Sequence, residues 1–459
     1  MFTKRALSIA LLASIVMLAT GDSLVRALPM IQEPDPQAEA TPGSDGGPMT
    51  PTPASPKEWV TQQENASKDV ATVLAPPLGP FIDIWIDDVS NYNPAVAYNS
   101  KHDEYLVVWE NDGGATRDIY ARRVAGNGTL KSSFTVVSNA NKWNYLPDVA
   151  YNPVRDEYLV VYTYQASTSD YDIWARRIAW DGSWMSAEIS VNREADKQWY
   201  PAVAYNSQND EYLVVYENYW SGSLRDIAAQ RIDADGTLLS WRNIATAANS
   251  VRRLPDVAYN ATRNEYLIAY TYQYSPTDGD IYGKVASANL GTLGTEMHIA
   301  DTTFNQDGVA LAAGPNEYLA VWEDGPSSTH RTVYGRRVTG AGALQSDFAI
   351  ADHSNQACVE VTAGYGPVYG YLVAWRFIVS SSDWNVYGRY VKAGQDSAWE
   401  SEFAIDVTAY LQRSPALACN LRGDCLVVEE DNWPSADYEI RGRLALARHV
   451  YLPLVVRNS

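Results

Sequence analysis

From about residue 81 onward, apolar residues fall in short runs rather than at helical spacing. In the first stretch the runs are Pro94 to Tyr98, Tyr105 to Trp109, Ile119 to Val124 and Phe134 to Val137. They are rich in Val, Tyr, Trp and Ile, which suit a pleated surface. Turn clusters part them: Asn99-Ser100-Lys101-His102-Asp103, Asn111-Asp112-Gly113-Gly114 and Gly126-Asn127-Gly128. No amphipathic helical period of useful length interrupts this pattern. The expectation is four short antiparallel strands, and then more of the same.

The stretch repeats. Asn93-Pro94-Ala95-Val96-Ala97-Tyr98-Asn99 returns as Leu146-Pro147-Asp148-Val149-Ala150-Tyr151-Asn152, again at Tyr200 to Asn206, and again at Leu254 to Asn260. Weaker copies centre on Val309, Val361 and Leu417. With Val96, Val149, Val203 and Val257 these make seven anchors, spaced by 53, 54, 54, 52, 52 and 56 residues. Four strands per unit of about fifty residues is the grammar of a β-propeller blade. The seventh copy lacks a clear fourth strand. Ile82-Asp83-Ile84-Trp85-Ile86 precedes the first anchor where Phe134 to Val137 precedes the second, so it is placed as the outer strand of the last blade. Such a clasp removes a sheet edge. The fold class read from the sequence is an all-β, seven-bladed β-propeller of four-stranded antiparallel blades, closed by an N-terminal strand. Copies one and three share Pro-Ala-Val, Glu110 or Glu217, and Arg-Asp-Ile at Arg117 or Arg225. Copies two and four share Leu-Pro-Asp-Val and Tyr-Thr-Tyr-Gln. The array reads as a duplicated two-blade unit.

Pro-x-Val, a Tyr-Leu-Val-Val-Trp strand, Asp-Ile-Tyr and Gly-Thr-Leu, in that order, resemble the blades of exported bacterial propellers and are similar to the WD40-like repeats of the TolB family. The resemblance covers about residues 81–445 and implies the fold. Its motifs are structural and carry no chemistry. The period here is longer, and Asn-x-x-x-Asp-Glu-Tyr replaces the family's Ser-Pro-Asp-Gly turn. The family's periplasmic partner role is therefore not carried over.

The ends of the chain differ from the repeats. Lys4 and Arg5 precede an apolar run, Ala6 to Ala19, too short to span a bilayer comfortably, and Val25-Arg26-Ala27 offers a cleavage site. Residues 1–27 are read as a signal peptide. Residues 28–80, rich in Pro and Thr, are read as a disordered linker. The propeller is placed at 81–447. Residues 448–459 form a tail whose Tyr451-Leu452-Pro453-Leu454-Val455-Val456 reads as an extra edge strand. The mature protein is expected to be secreted, extracellular or at the cell surface, with no membrane span after signal cleavage. An apolar share of 46% excludes wholesale disorder. A net charge of −20 argues against nucleic acid and anionic membranes as partners.

Candidate chemistry is sparse. The five His residues are scattered over different repeat positions, and no nucleophile elbow, P-loop or dinucleotide fingerprint is present. No catalytic residue is assigned and no cofactor is required. Asp148, Asp256 and Glu360 each stand one residue before an anchor, on strands that line the channel. Three carboxylates at one depth would suit Ca²⁺, but Ca²⁺ takes six to eight oxygens. The preferred reading has them pointing between blades or into bulk water. The loops from strand two to three, and from blade to blade, share one face of the disc and are varied and aromatic. They supply Trp143, Tyr145, Trp199, Tyr200, Trp220, Trp384 and Trp433, with Arg252 and Arg253, as candidate ligand-binding residues. Exposed Trp and Tyr stack on sugar rings or anchor protein partners. Two functions follow: an exported module binding a glycan or an extracellular protein, or a polysaccharide hydrolase or lyase with carboxylates over the channel. Cys419 and Cys425 replace two tyrosines on neighbouring strands and are expected to form a disulfide, leaving Cys358 as a free thiol.

Overall fold

A computed structural model of the chain describes residues 76–447, save 141, 196, 222–223, 247–250, 341, 354–355 and 433–436. The segment read as a signal peptide, most of the segment read as a linker, the C-terminal residues 448–459 and Trp433 lie outside the described residues. The described residues hold 28 strands in seven antiparallel groups of four. The first group is β2(Ser90–Asn99), β3(Glu104–Asp112), β4(Arg117–Ala125) and β5(Leu130–Val137). The last is β26(Gln412–Cys419), β27(Cys425–Asp431), β28(Glu439–Ala445) and β1(Leu78–Trp85). β1 pairs with β28 through Phe81↔Arg443, Asp83↔Arg441 and Trp85↔Ile440. That strand begins at Leu78, three residues inside the segment read as linker.

The innermost strands touch in succession, each the first of its group, and β26 in turn touches β2, so the groups form a ring of blades. Where one blade passes to the next, the start of a third strand bridges the next blade's entry in parallel, as in Arg117↔Trp143, Tyr171↔Lys197, Arg225↔Val251 and Arg331↔Ala357.

The core lies between blades rather than within them. On β3, Leu106 and Val108 pack towards the second blade, while Tyr105, Val107 and Trp109 pack towards the last. Burial on both faces explains the unbroken apolar run Tyr-Leu-Val-Val-Trp. A second device joins neighbours near the rim. A third-strand cation donates to a carbonyl of the preceding blade's outer strand: Arg122 to Ile84 (2.8 Å), Arg176 to Val136 (2.8 Å), Lys284 to Ile244 (3.0 Å), Arg336 to Ile299 (2.6 Å), Arg389 to Ile350 (2.7 Å) and Arg443 to Ile405 (2.8 Å). Ile84 belongs to the N-terminal strand, so the first blade grips it as it would any fourth strand.

The Tyr-Asn-x-x-x-Asp phrase is a turn with a lock. Asn99 Oδ1 accepts from the N–H groups of Lys101 and His102, both at 3.0 Å. Asp103 takes a left-handed φ of 48° and accepts from the Tyr98 hydroxyl at 2.9 Å. Asp156 and Asp210 repeat the geometry with Tyr151 and Tyr205. The tyrosine ring then packs on its cross-strand partner, as in Tyr98 with Tyr105 and Tyr151 with Tyr158. In the last blade that pair is replaced by a disulfide between Cys419 and Cys425, which face each other across β26 and β27. Cys358 is a buried free thiol.

Candidate functional site

Each first strand carries a bulge near the channel mouth. Its central residue has left-handed φ: Asn93, Leu146, Tyr200, Leu254, Gly308, Glu360 and Ser414, between 49° and 60°. This conformation is unfavourable for a side-chain-bearing residue and needs support. The equivalence corrects the register of two repeats. Ala310 pairs with Val321 and Thr362 with Ala374, as Ala95 pairs with Val108. The anchors of the fifth and sixth blades are therefore Leu311 and Ala363, not Val309 and Val361. Glu360 stands at the bulge, two positions before the site that Asp148 and Asp256 occupy.

These carboxylates tie blade to blade. Asp148 accepts from Val203 N–H across the junction (2.8 Å) and from its neighbour Val149 N–H (2.8 Å). Asp256 accepts from Leu311 N–H (2.7 Å) and Val257 N–H (2.7 Å). Glu360 accepts from Ser414 N–H (2.7 Å). The other four junctions use a glutamate at the end of strand two. Glu110 takes Leu146 N–H (2.7 Å), Glu217 takes Leu254 N–H (2.8 Å), Glu323 takes Glu360 N–H (2.6 Å) and Glu430 takes Asn93 N–H (2.8 Å). All seven junctions thus carry a carboxylate on a backbone N–H, in an alternation that explains the two-blade repeat. Burial pushes Asp148 up to about 6, and Asp256 and Glu323 up to about 7. For the proposed Ca²⁺ set this is a correction: Asp148, Asp256 and Glu360 do not share a strand position, and their oxygens already serve backbone donors. Among the described residues no group of three or more His, Cys, Asp or Glu could hold a metal ion.

Arginines stand beside the ties. Arg117 pairs with Glu110 (2.6 Å) and Asp112 (2.6 Å), Arg225 with Glu217 (2.5 Å), Arg413 with Glu430 (2.6 Å), Arg376 with Glu360 (3.0 Å), Arg331 with Glu323 (3.4 Å) and Arg253 with Asp307 (2.6 Å). The rings lie against these guanidinium groups. Arg117 sits 5.0 Å from Tyr92, 5.2 Å from Trp143 and 5.1 Å from Tyr145. The band continues through Tyr145, Trp199 and Tyr171, with centroids 5.6 and 4.3 Å apart. On the other side Arg413 lies over Tyr438 (3.8 Å), and Arg376 lies over Trp384 (4.5 Å).

The candidate rings divide. Trp220 is 45% exposed at a hairpin tip, and Trp143, Tyr200 and Trp384 are part-exposed. Tyr145 (9%), Trp199 (6%) and Arg252 (3%) are buried, which corrects their assignment as contact residues. They lie inside first strands that begin at Asn144, Gln198 and Val251, so their neighbours cover them. Arg252 lies over Tyr272 at 4.8 Å, and Arg253 is held by Asp307. Three further exposed tryptophans escaped the sequence reading, two in the turn after the third strand of the second blade and one on the outer strand Leu238–Ala245. Trp180 stacks on His102 at 4.0 Å, Trp184 is 58% exposed with Arg176 4.0 Å above it, and Trp241 donates to the Tyr216 hydroxyl at 2.7 Å. The signal was the run Trp180-Asp181-Gly182-Ser183-Trp184, unlike its counterparts.

The channel-mouth face can stack rings and exchange hydrogen bonds. The described histidines with carboxylate partners, His102, His298 and His353, bond to Asp156, Asp301 and Glu402 instead of any group of the mouth.

No family model matches the chain, and no curated protein matches it. Solved structures do. Polysaccharide lyase Uly1 aligns at 9% identity over 80% of this chain and 99% of its own, with a TM-score of 0.53. An ulvan lyase bound to -[GlcA(1-4)Rha3S]- aligns at 12% identity over 79% and 95%, with a TM-score of 0.50. A protein of unknown function from Dyadobacter fermentans aligns at 11% identity over 81% and 99%, with a TM-score of 0.50. At such identities the shared property is the fold, an all-β propeller.

Proposed function

We propose that this chain is an exported glycan-binding module whose contact surface is the aromatic face at the channel mouth. The observation that carries the reading is the fixed array of Tyr92, Trp143 and Trp384, each part-exposed and held against an arginine that is itself ion-paired. Rings locked in this way present their faces without losing side-chain entropy on binding. Two propellers of similar fold are described as polysaccharide lyases, which supports glycan over protein as the ligand class. Binding is favoured over catalysis because the carboxylates of the inter-blade ties are already committed. A general base must reach a substrate proton, whereas Glu110, Glu217, Glu323 and Glu430 each hold a backbone N–H and an arginine. The exported location agrees with the disulfide. The test is a screen of the mature protein on an array of plant, algal and bacterial glycans, read beside Trp143→Ala and Trp384→Ala. Retention of a glycan that both variants lose supports the reading. Retention of a protein ligand alone, or of no glycan, overturns it.

A further inference from the structure

Resting on the glycan reading, we infer that the ligand of this face is an uncharged oligosaccharide rather than a uronate or sulfated one. Recognition of an acidic sugar needs a cation whose charge is free to meet it. Six arginines described around the mouth are not in that state. Each has a carboxylate within 3.4 Å, and Arg117 has two. Those carboxylates are not loose counter-ions. Glu110, Glu217, Glu323, Glu360 and Glu430 also hold the N–H of the bulged residue in the next blade. An anion that took Arg117 from Glu110 would leave a buried carboxylate without its cation and loosen the tie to Leu146. The same conflict recurs at Arg225, Arg331, Arg376 and Arg413.

Two lysines and the exposed Arg193 stand at blade entries of the same face. Lys142 donates to the Ala166 carbonyl at 2.5 Å and lies 5.6 Å over Tyr164, and Lys197 lies 5.7 Å over Tyr171. These three cations act against a chain charge of −20, which repels a polyanion before contact. What the face does offer is suited to a neutral sugar. Ring faces at Trp143, Trp220 and Trp384 match the C–H faces of pyranose or furanose rings. The part-exposed Arg376–Glu360 pair, unlike the buried pairs beside it, can also meet hydroxyl groups. Hydroxyls take part in such networks without displacing either partner of an ion pair.

The experiment is affinity electrophoresis of the mature protein in gels containing neutral polysaccharides (arabinan, xylan, mixed-linkage β-glucan) or acidic ones (polygalacturonate, alginate, a sulfated galactan), at low and high ionic strength. The expected result is retardation by at least one neutral polymer, unchanged by salt, and free migration through the acidic gels. Trp143→Ala should lower the affinity about threefold to tenfold, the scale of one aromatic contact. Trp220→Ala, at an exposed hairpin tip, is the second variant should Trp143→Ala fold poorly. Retardation by an acidic polymer that fades with salt overturns the neutral-ligand inference but leaves the glycan reading standing. Free migration through every gel overturns both.

Discussion

Replacing Asp256 by Asn should change how stability depends on pH. Burial pushes the Asp256 carboxyl from an ordinary 3.8 up to about 7, although two backbone N–H groups favour its charged form. The folded chain therefore holds a proton that the unfolded chain has released. Stability from this group is fully present below the unfolded value and is lost as pH rises through the folded one. The window spans about three pH units, each about 1.4 kcal/mol, so about 4 kcal/mol is lost between about pH 4 and pH 7. Asparagine does not titrate, so that slope vanishes. It can accept from only one of the Val257 and Leu311 N–H groups, and the orphaned donor costs about 1–3 kcal/mol at every pH. The variant should be the less stable protein near pH 4 and the more stable one near pH 7.5. Urea titrations followed by tryptophan fluorescence across this range give both curves. Curves that stay parallel would refute the reasoning, because Asp256 would then carry no folded-state proton. Asp148→Asn should cross in the same direction over a narrower window, since that carboxyl is pushed up only to about 6.

Three other outcomes are expected. Trp199→Ala should destabilise by about 3–5 kcal/mol as a buried aromatic truncation, while Trp220→Ala stays within about 0.5 kcal/mol; equal melting shifts would contradict the burial assigned here. Peptide mapping without reduction should link Cys419 to Cys425, and removing both by Ser should cost about 2 kcal/mol for so short a loop, six residues apart in sequence. Glu429 stands where six other blades place a buried aromatic such as Trp109, and burial beside Asp406 and Asp431 raises it well above the usual range. Glu429→Gln should accordingly raise the urea midpoint at neutral and alkaline pH and leave it nearly unchanged near pH 4; an equal shift at both would contradict a proton held there.

The blades were legible because strand alternation, turn chemistry and the repeat agreed. Tyr-Asn-x-x-x-Asp is both a sequence phrase and a complete hydrogen-bonding unit, so its recurrence marked real blades. The slip in the fifth and sixth repeats has a physical origin. Gly308-Val309 and Glu360-Val361 replace the bulge residue and proline, so the nearest valine mimics the anchor. A strand has period two, so an error of two residues leaves every side chain on the same face and passes unnoticed. It also created a false equivalence between Glu360 and Asp148. The face was only half legible. Loop chemistry located the aromatic side of the disc, but Tyr145 and Trp199 belong to first strands, and pattern alone cannot separate a loop ring from the first ring of a strand. For the ties, an inter-blade direction of Asp148, Asp256 and Glu360 was within reach of the sequence, but their backbone partners were not. Glu110 and the N–H of Leu146 lie 36 residues apart, and backbone donors have no letter in a sequence.

The most direct measurement is a crystal structure of the mature protein with a neutral oligosaccharide drawn from whichever polymer retards it. The account predicts sugar rings stacked on Trp143 or Trp384 at the channel mouth, with the Arg117–Glu110 and Arg376–Glu360 pairs intact. Sugar seated instead against Trp180, Trp184 or Trp241, with the mouth empty, would contradict it.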